Sequence, residues 1–293
     1  MTSMWWMTPA LAAAPEIVVL GIAQDAGHPQ AGCRKSCCEE AFSDPAAGHR
    51  VASLGLIDPD SERVWLVDAT PDLPRQLHDL SQGGALAGVL ITHAHMGHYT
   101  GLIHLGREAM GADAIPVYAM PRMATLLTDQ EPWALLGRLG HVQIRPVQDQ
   151  VELRLADELT ATPFLVPHRD ELSETVGWII AGPDRRVAWL PDIDKWSRWD
   201  TPLESLLASV DLVFLDGTFY ANGELARDMS EIPHPFVTET LQRLSGAPAE
   251  LRAKVRFVHL NHTNPALDPG GEAARTIRAA GMAIAEEGER HRL

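Results

Sequence analysis

From Glu16 onward the chain alternates short apolar runs with amphipathic stretches. Short runs rich in Val, Ile and Leu, bounded by Gly, Pro or Asp, read as strands; apolar residues three and four apart read as helices. This pattern predicts strands over residues 17–22, 51–57 and 64–67, the last two joined by a turn at Asp58-Pro59-Asp60-Ser61. A helix over 73–80 leads to a strand over 87–91. Helical spacing covers 99–110 and 120–139, with a strand over 115–119 between them. After His141 the pattern turns β-rich, with strands predicted over 142–147, 151–155, 159–166, 175–180 and 187–190. Strand 212–215, helix 237–244, strand 255–260 and helix 272–280 complete the series. Two groups of strands with interleaved helices fit a single α/β domain over residues 16–293, with two sheets covered by helices.

Composition narrows the function classes. Of 293 residues, 45% are hydrophobic and 22% charged, as in folded globular proteins. A net charge of −15 argues against nucleic acid as a partner, since phosphate-backbone binding needs clustered Lys and Arg. No apolar run is long enough for a membrane span. Residues 1–15 hold the apolar stretch from Met4 to Ala14, which ends in small residues but lacks a positively charged lead-in. They read as a truncated export signal or a disordered tail. The first reading would place a bacterial-type soluble protein in the periplasm, the second in the cytoplasm.

The chemistry concentrates after the strand over 87–91, in Thr92-His93-Ala94-His95-Met96-Gly97-His98. Three imidazoles at a strand end are poor core material and good metal ligands, because the neutral ring nitrogen is free at physiological pH. On extended backbone, His93 and His95 project to the same side and can reach one ion. His98, entering a helix, approaches from another direction and can reach a second.

This segment resembles the His-x-His-x-Asp-His motif of the metallo-β-lactamase-fold hydrolases. The resemblance implies a four-layer αβ/βα sandwich with its metal site along one edge of the two sheets. It also implies the remaining ligands. His168, just past an apolar strand, matches the third histidine of the first metal. Asp192, after Val187-Ala188-Trp189-Leu190-Pro191, matches the metal-bridging carboxylate, with Asp194 two residues on as a competitor and a turn-capping role as the plain alternative. His259 matches the last histidine, a ligand of the second metal, with His262 three residues further. Asp68 resembles a carboxylate that buttresses a ligand, where holding a histidine's second nitrogen fixes its tautomer; a helix-cap role is the alternative. The chain departs from the motif at Gly97, where the family carries an Asp that binds the second metal. That departure leaves five histidines and one Asp, a set that suits zinc over magnesium.

All three cysteines lie in Cys33-Arg34-Lys35-Ser36-Cys37-Cys38, and adjacent cysteines rarely bridge one another. They read as three ligands of a closed, structural Cys₃His zinc site, or as a thiol cluster open to oxidation. Val19-Leu20-Gly21, the segment from Gly27 to Cys33, Asp216-Gly217-Thr218 and the segment from His259 to Pro265 resemble coenzyme PQQ synthesis protein B. In the related cyclic-phosphodiesterase branch of the carbon–phosphorus lyase pathway, three cysteines are completed by a histidine at the place of His262. The Cys33, Cys37, Cys38 spacing differs from that branch's Cys-x-Cys-x-x-Cys.

The expectation is therefore a zinc-dependent metallo-hydrolase, with one or two zinc ions in the active site and one structural ion; manganese or iron are the alternatives at the active site. Metal would lower the pKa of bound water towards about 7. Asp192 and His234 are the expected catalytic side chains; His234 precedes a helix, where an exposed turn residue is the plain alternative. The expected substrate is a small molecule, a phosphodiester or lactone, and a homodimer is the expected assembly. The competing expectations are a PQQ-synthesis-protein-B-like role in cofactor biosynthesis, oxidative or as a carrier, and a metal-binding protein without turnover.

Overall fold

The computed structural model describes residues 13–293, so most of the N-terminal stretch, and with it the export-signal reading, lies outside the described residues. The first sheet is built from β1 (Glu16–Gly21), β2 (Ser53–Asp58), β3 (Arg63–Val67), β4 (Ala85–Leu90), β5 (Ile115–Ala119) and β6 (Val142–Pro146). The second is built from β7 (Leu153–Ala156), β8 (Leu159–Leu165), β9 (Val176–Ala181), β10 (Arg186–Leu190), β11 (Leu212–Asp216), β12 (Val255–Val258) and β13 (Ala283–Ile284). The chain then returns as β14 (Arg290–Arg292), which pairs antiparallel with β1. The strand orders are β14-β1-β2-β3-β4-β5-β6 and β13-β12-β11-β10-β9-β8-β7.

Each sheet joins an antiparallel half to a parallel half. β1, β2 and β3 are antiparallel, whereas β3 to β6 run parallel. β7 to β10 are antiparallel, whereas β10 to β13 run parallel. It follows that β1, β3 and β4 share one direction in the first sheet, and β8, β10, β11 and β12 share one in the second. Their carboxyl ends supply the functional side chains described below.

The apolar runs are continuous rather than alternating because both faces of each sheet are covered. In β1, Ile17 and Val19 join the core between the sheets, while Val18 and Leu20 join the layer under the helices. β3 divides in the same way, with Trp65 and Val67 inward and Val64 and Leu66 towards the helices. Trp65, Trp178, Trp189, Phe214 and Phe257 are fully buried in the central layer. Helix Leu73–Leu80 buries Leu73, Gln76 and Leu80, three positions on one helical face. It approaches β2 so closely that a Cβ at Gly55 would press on Leu80 Cδ1 at 2.6 Å. The αβ/βα sandwich expected from the sequence is the fold observed.

Several boundaries differ from the sequence pattern. The helix expected over 120–139 is two, Pro121–Asp129 and Trp133–Arg138, divided at Pro132, which lacks the N–H a continuous helix needs. The stretch 99–110 holds the end of helix Met96–Tyr99 and a 3₁₀ segment, Thr100–Leu105. Helices Ser36–Ser43 and Leu203–Ser209 and the short strands β13 and β14 lie where no element was expected.

Candidate metal centre

The site forms where the same-direction strands end. β4 runs into Thr92 and the three histidines, β10 into Asp192, β11 ends at Asp216, and β12 runs into His259. His168 follows β8. Asp192 is the hub. Its Oδ2 lies 3.2 Å from His93 Nε2, 3.1 Å from His98 Nε2 and 3.4 Å from His259 Nε2. Its Oδ1 lies 3.7 Å from His168 Nε2 and 3.4 Å from His234 Nδ1. His93 Nε2 and His95 Nδ1 are 2.8 Å apart.

Two groups of four ligand atoms result, each within 4.8 Å of one another: His93, His95, His168 and Asp192, and Asp25, His98, Asp192 and His259. Despite these short separations, both Asp192 oxygens, both His168 nitrogens, and Nε2 of His95, His98 and His259 are buried without an aligned hydrogen-bond partner. Buried polar atoms left unpartnered are costly and rare. An inward-facing set of imidazole nitrogens around one carboxylate fits a borderline-soft divalent cation such as zinc. Among the described residues no lysine or arginine pairs with this carboxylate, whereas Asp194 points away to Arg198, at 2.7 Å.

Electrostatics follow from the packing. Burial pushes the Asp192 carboxyl up, but His259, His168, His93 and His98 outweigh it and hold it well below its usual value. Burial, with His98 beside it, drives His93 well below its ordinary value, and burial lowers His168 to about 4. Both are therefore neutral, with lone pairs available, at neutral pH. His98 goes the other way: burial lowers it, but Asp68, Asp192 and Asp25 together raise it well above its usual value.

Two carboxylates hold the imidazoles from behind. Asp68 Oδ2 accepts from His98 Nδ1 at 2.8 Å, and its Oδ1 accepts from the Thr92 backbone N–H at 2.8 Å and hydroxyl at 2.9 Å. Asp68 thus stands behind the His98 ring, on the side away from Asp192. Asp216, to which no role was assigned from sequence, does the same in the second sheet. Its Oδ2 accepts from His234 Nδ1 at 2.8 Å and its Oδ1 from the Thr218 hydroxyl at 2.7 Å, while Thr218 Oγ1 lies 2.9 Å from His259 Nδ1. The Asp216-Gly217-Thr218 segment was the available signal. Asp68 (φ 69°) and His259 (φ 64°) both adopt left-handed backbone, uncommon for non-glycine residues and concentrated at functional sites.

Asp25 is the other residue missed, because nothing marks an isolated Asp in the irregular segment after β1. Its Oδ1 lies 3.2 Å from His98 Nε2 and 4.0 Å from His259 Nε2. A carboxylate from another segment therefore stands beside His98 and His259, where the motif has none at Gly97. Burial pushes Asp25 up, yet His259 and His98 hold it well below its usual value.

Cys33, Cys37, Cys38 and His262 form a separate group of four ligand atoms within 4.8 Å, and the three cysteines are free thiols. Burial raises Cys38 to about 12. His28 lies beside this group, donating from Nε2 to the Cys37 carbonyl at 2.6 Å. The expected sets are thus brought together: His259 falls in the cage and His262 beside the cysteines.

Comparison with known proteins extends these observations. A β-lactamase superfamily domain model matches residues 63–260. Coenzyme PQQ synthesis protein B of Methylobacterium nodulans is 29% identical, over 95% of this chain and 100% of that protein. The protein of the same name from Xanthomonas campestris pv. campestris is 27% identical, over 93% and 98%. Among solved structures, zinc-bound PqqB from Methylobacterium extorquens superposes with a TM-score of 0.79 at 23% identity, covering 95% of this chain and 100% of that one. A diphosphatase of the PhnP family superposes with a TM-score of 0.68 at 20% identity, covering 96% and 98%.

Proposed function

The chain belongs to the β-lactamase superfamily, and from that premise we propose that it is a zinc-dependent hydrolase of a small anionic ester, a phosphodiester being the first choice. The observation that carries this reading is the cage itself: a buried carboxylate, Asp192, faced by unpartnered nitrogens of His98, His168 and His259. His93, His95, His168 and Asp192 would hold one cation, and His98, Asp192 and His259 a second. Bound there, such cations polarise the scissile group and lower the pKa of water to about 7.

The chain's own residues then bind and orient the substrate. A cavity of 330 Å³ is lined by His234, Thr218, Phe219, Asn261, Arg169 and Arg227. Arg169 Nη2 lies 3.4 Å from His95 Nδ1, so a guanidinium stands at the rim of the cage. In a chain of net charge −15, two arginines on one cavity wall favour an anionic substrate, because a guanidinium presents paired donors to phosphate or carboxylate oxygens. His234, with Nδ1 engaged by Asp216, keeps Nε2 as its remaining polar atom for substrate.

Full-length similarity to coenzyme PQQ synthesis protein B supports a second reading, a role in cofactor biosynthesis. Bound iron with oxygen consumption would favour it; zinc with ester cleavage favours the first. The test is zinc-loaded enzyme on bis(p-nitrophenyl) phosphate and neutral p-nitrophenyl acetate. Arg169→Gln should lower kcat/KM for the anionic diester about tenfold or more, the loss of a charged hydrogen bond, and spare the neutral ester. Equal losses on both esters would refute anion recognition, and no cleavage of any ester would refute the hydrolase.

A further inference from the structure

Gly97 has no conformational reason to be glycine. It lies in helix Met96–Tyr99 and is absent from the positive-φ residues, so its backbone accepts any L side chain. Glycine within a helix is the less stable choice. What prevents a side chain is space: a Cβ built at Gly97 would overlap Asp25 Oδ1 and approach the Asp25 Cα at 2.5 Å. The Gly97 backbone N–H instead donates to Asp25 Oδ1 at 3.2 Å. Asp25 Oδ2 accepts from Gln24 Nε2 at 2.6 Å, which fixes the other oxygen.

The segment that carries Asp25 is anchored. Leu260 N–H donates to the Ile22 carbonyl at 2.8 Å, and Gln24 N–H donates to the Leu260 carbonyl at 2.9 Å. These bonds stitch the residues after β1 to the residue that follows His259. The same Asp25 Oδ1 that receives the Gly97 N–H faces His98 Nε2 and His259 Nε2, two buried nitrogens that also face Asp192 Oδ2 and make no aligned hydrogen bond.

We propose that Asp25 supplies the carboxylate of the second cation site in place of a side chain at position 97, and that Gly97 is required because Asp25 occupies that space. The proposal rests on the two-cation reading of the cage. It makes the second site a joint product of the segment after β1 and the loop after β12, rather than of the histidine motif alone. A carboxylate at position 97 then adds no ligand; it expels one.

The test reads cations per chain and zinc affinity by chelator competition, with no ester present, so failure of the hydrolase reading leaves it interpretable. Asp25→Asn keeps the shape and an acceptor for the Gly97 N–H, and therefore the fold. It should lose one cation per chain at limiting zinc, or weaken that cation by roughly 100-fold, the scale set by perturbing a metal site's supporting groups. Gly97→Asp should weaken the same cation, and Gly97→Ala, which introduces no donor, should do so too. Unchanged stoichiometry and affinity in Asp25→Asn, or tighter zinc in Gly97→Asp, would overturn the proposal. A wild-type cage that holds a single cation would overturn the two-cation reading and the proposal with it.

Discussion

Replacing Asp68 separates positioning from packing. In Asp68→Ala the Thr92 hydroxyl can turn to His93 Nδ1, 3.0 Å away, but the buried Thr92 backbone N–H loses its acceptor and His98 Nδ1–H keeps only the Thr92 hydroxyl oxygen, at 3.3 Å. Stranding the one buried donor costs about 1–3 kcal/mol, and the left-handed backbone at φ 69° adds about 1 kcal/mol for alanine. At the low end of that sum, about 2 kcal/mol, melting should fall by roughly 3 °C in a chain of 293 residues. Asp68→Asn tolerates the same backbone and keeps an acceptor for the Thr92 N–H. Its amide donor, however, would face His98 Nδ1 and drive that ring to the tautomer protonated on Nε2, the nitrogen aimed into the cage. Asparagine should therefore spare the melting temperature and weaken zinc about 10–100-fold. Calorimetric melting of the metal-free protein and zinc competition check the two halves. Wild-type zinc affinity in Asp68→Asn, with wild-type melting in Asp68→Ala, would refute the reasoning.

His168→Ala should remove one cation and abolish ester cleavage, because the neighbouring His234 has its Nδ1 engaged by Asp216 and does not replace the lost nitrogen; retained metal content and rate would contradict this. Cys37→Ser should lose one cation and melt lower while keeping the cage cations and most activity, since an ion there ties the segment after β1 to the loop after β12; unchanged metal content and melting would remove the zinc clip. The Glu287 carboxylate accepts from the Arg50 backbone N–H at 2.8 Å and side-chain Nε at 3.0 Å. Burial raises it, but His49 and Arg50 outweigh burial and hold it below its usual value. A depressed folded-state pKa gives stability that is present above the unfolded value, about 4.3, and lost as pH falls through the folded one. The melting gap between wild type and Glu287→Gln should thus be full at neutral pH and close on acidification; a gap independent of pH would count against the pair.

The sandwich was legible because sheets covered on both faces leave unbroken apolar runs, and residues such as Ile17, Val18, Val19 and Leu20 report burial whichever way they point. The cage was legible wherever a histidine or Asp closes such a run, as His93, His168, Asp192 and His259 do. Asp25 was not, because it follows β1 within an irregular segment that backbone bonds tie to Arg50 and Ala52 and to Leu260, the last more than two hundred residues away in sequence. Asp216 was hidden differently: it is the last residue of a buried strand, and its role depends on His234 arriving from a loop. Gly97 was read as a missing ligand because a sequence gives a residue's identity and not the space around it. The helix predicted over 120–139 failed at Pro132, where periodicity continues across a break that one proline makes.

The central claim is that the Asp192 cage is a zinc site that cleaves esters. Its most direct test is a single titration, in which chelator-stripped protein receives zinc in steps while hydrolysis of bis(p-nitrophenyl) phosphate is followed. The account predicts a rate that is absent in stripped protein and rises to a plateau as the cage fills stoichiometrically, with no such rise in His168→Ala. A fully loaded wild-type protein that cleaves no more diester than the stripped one would contradict it.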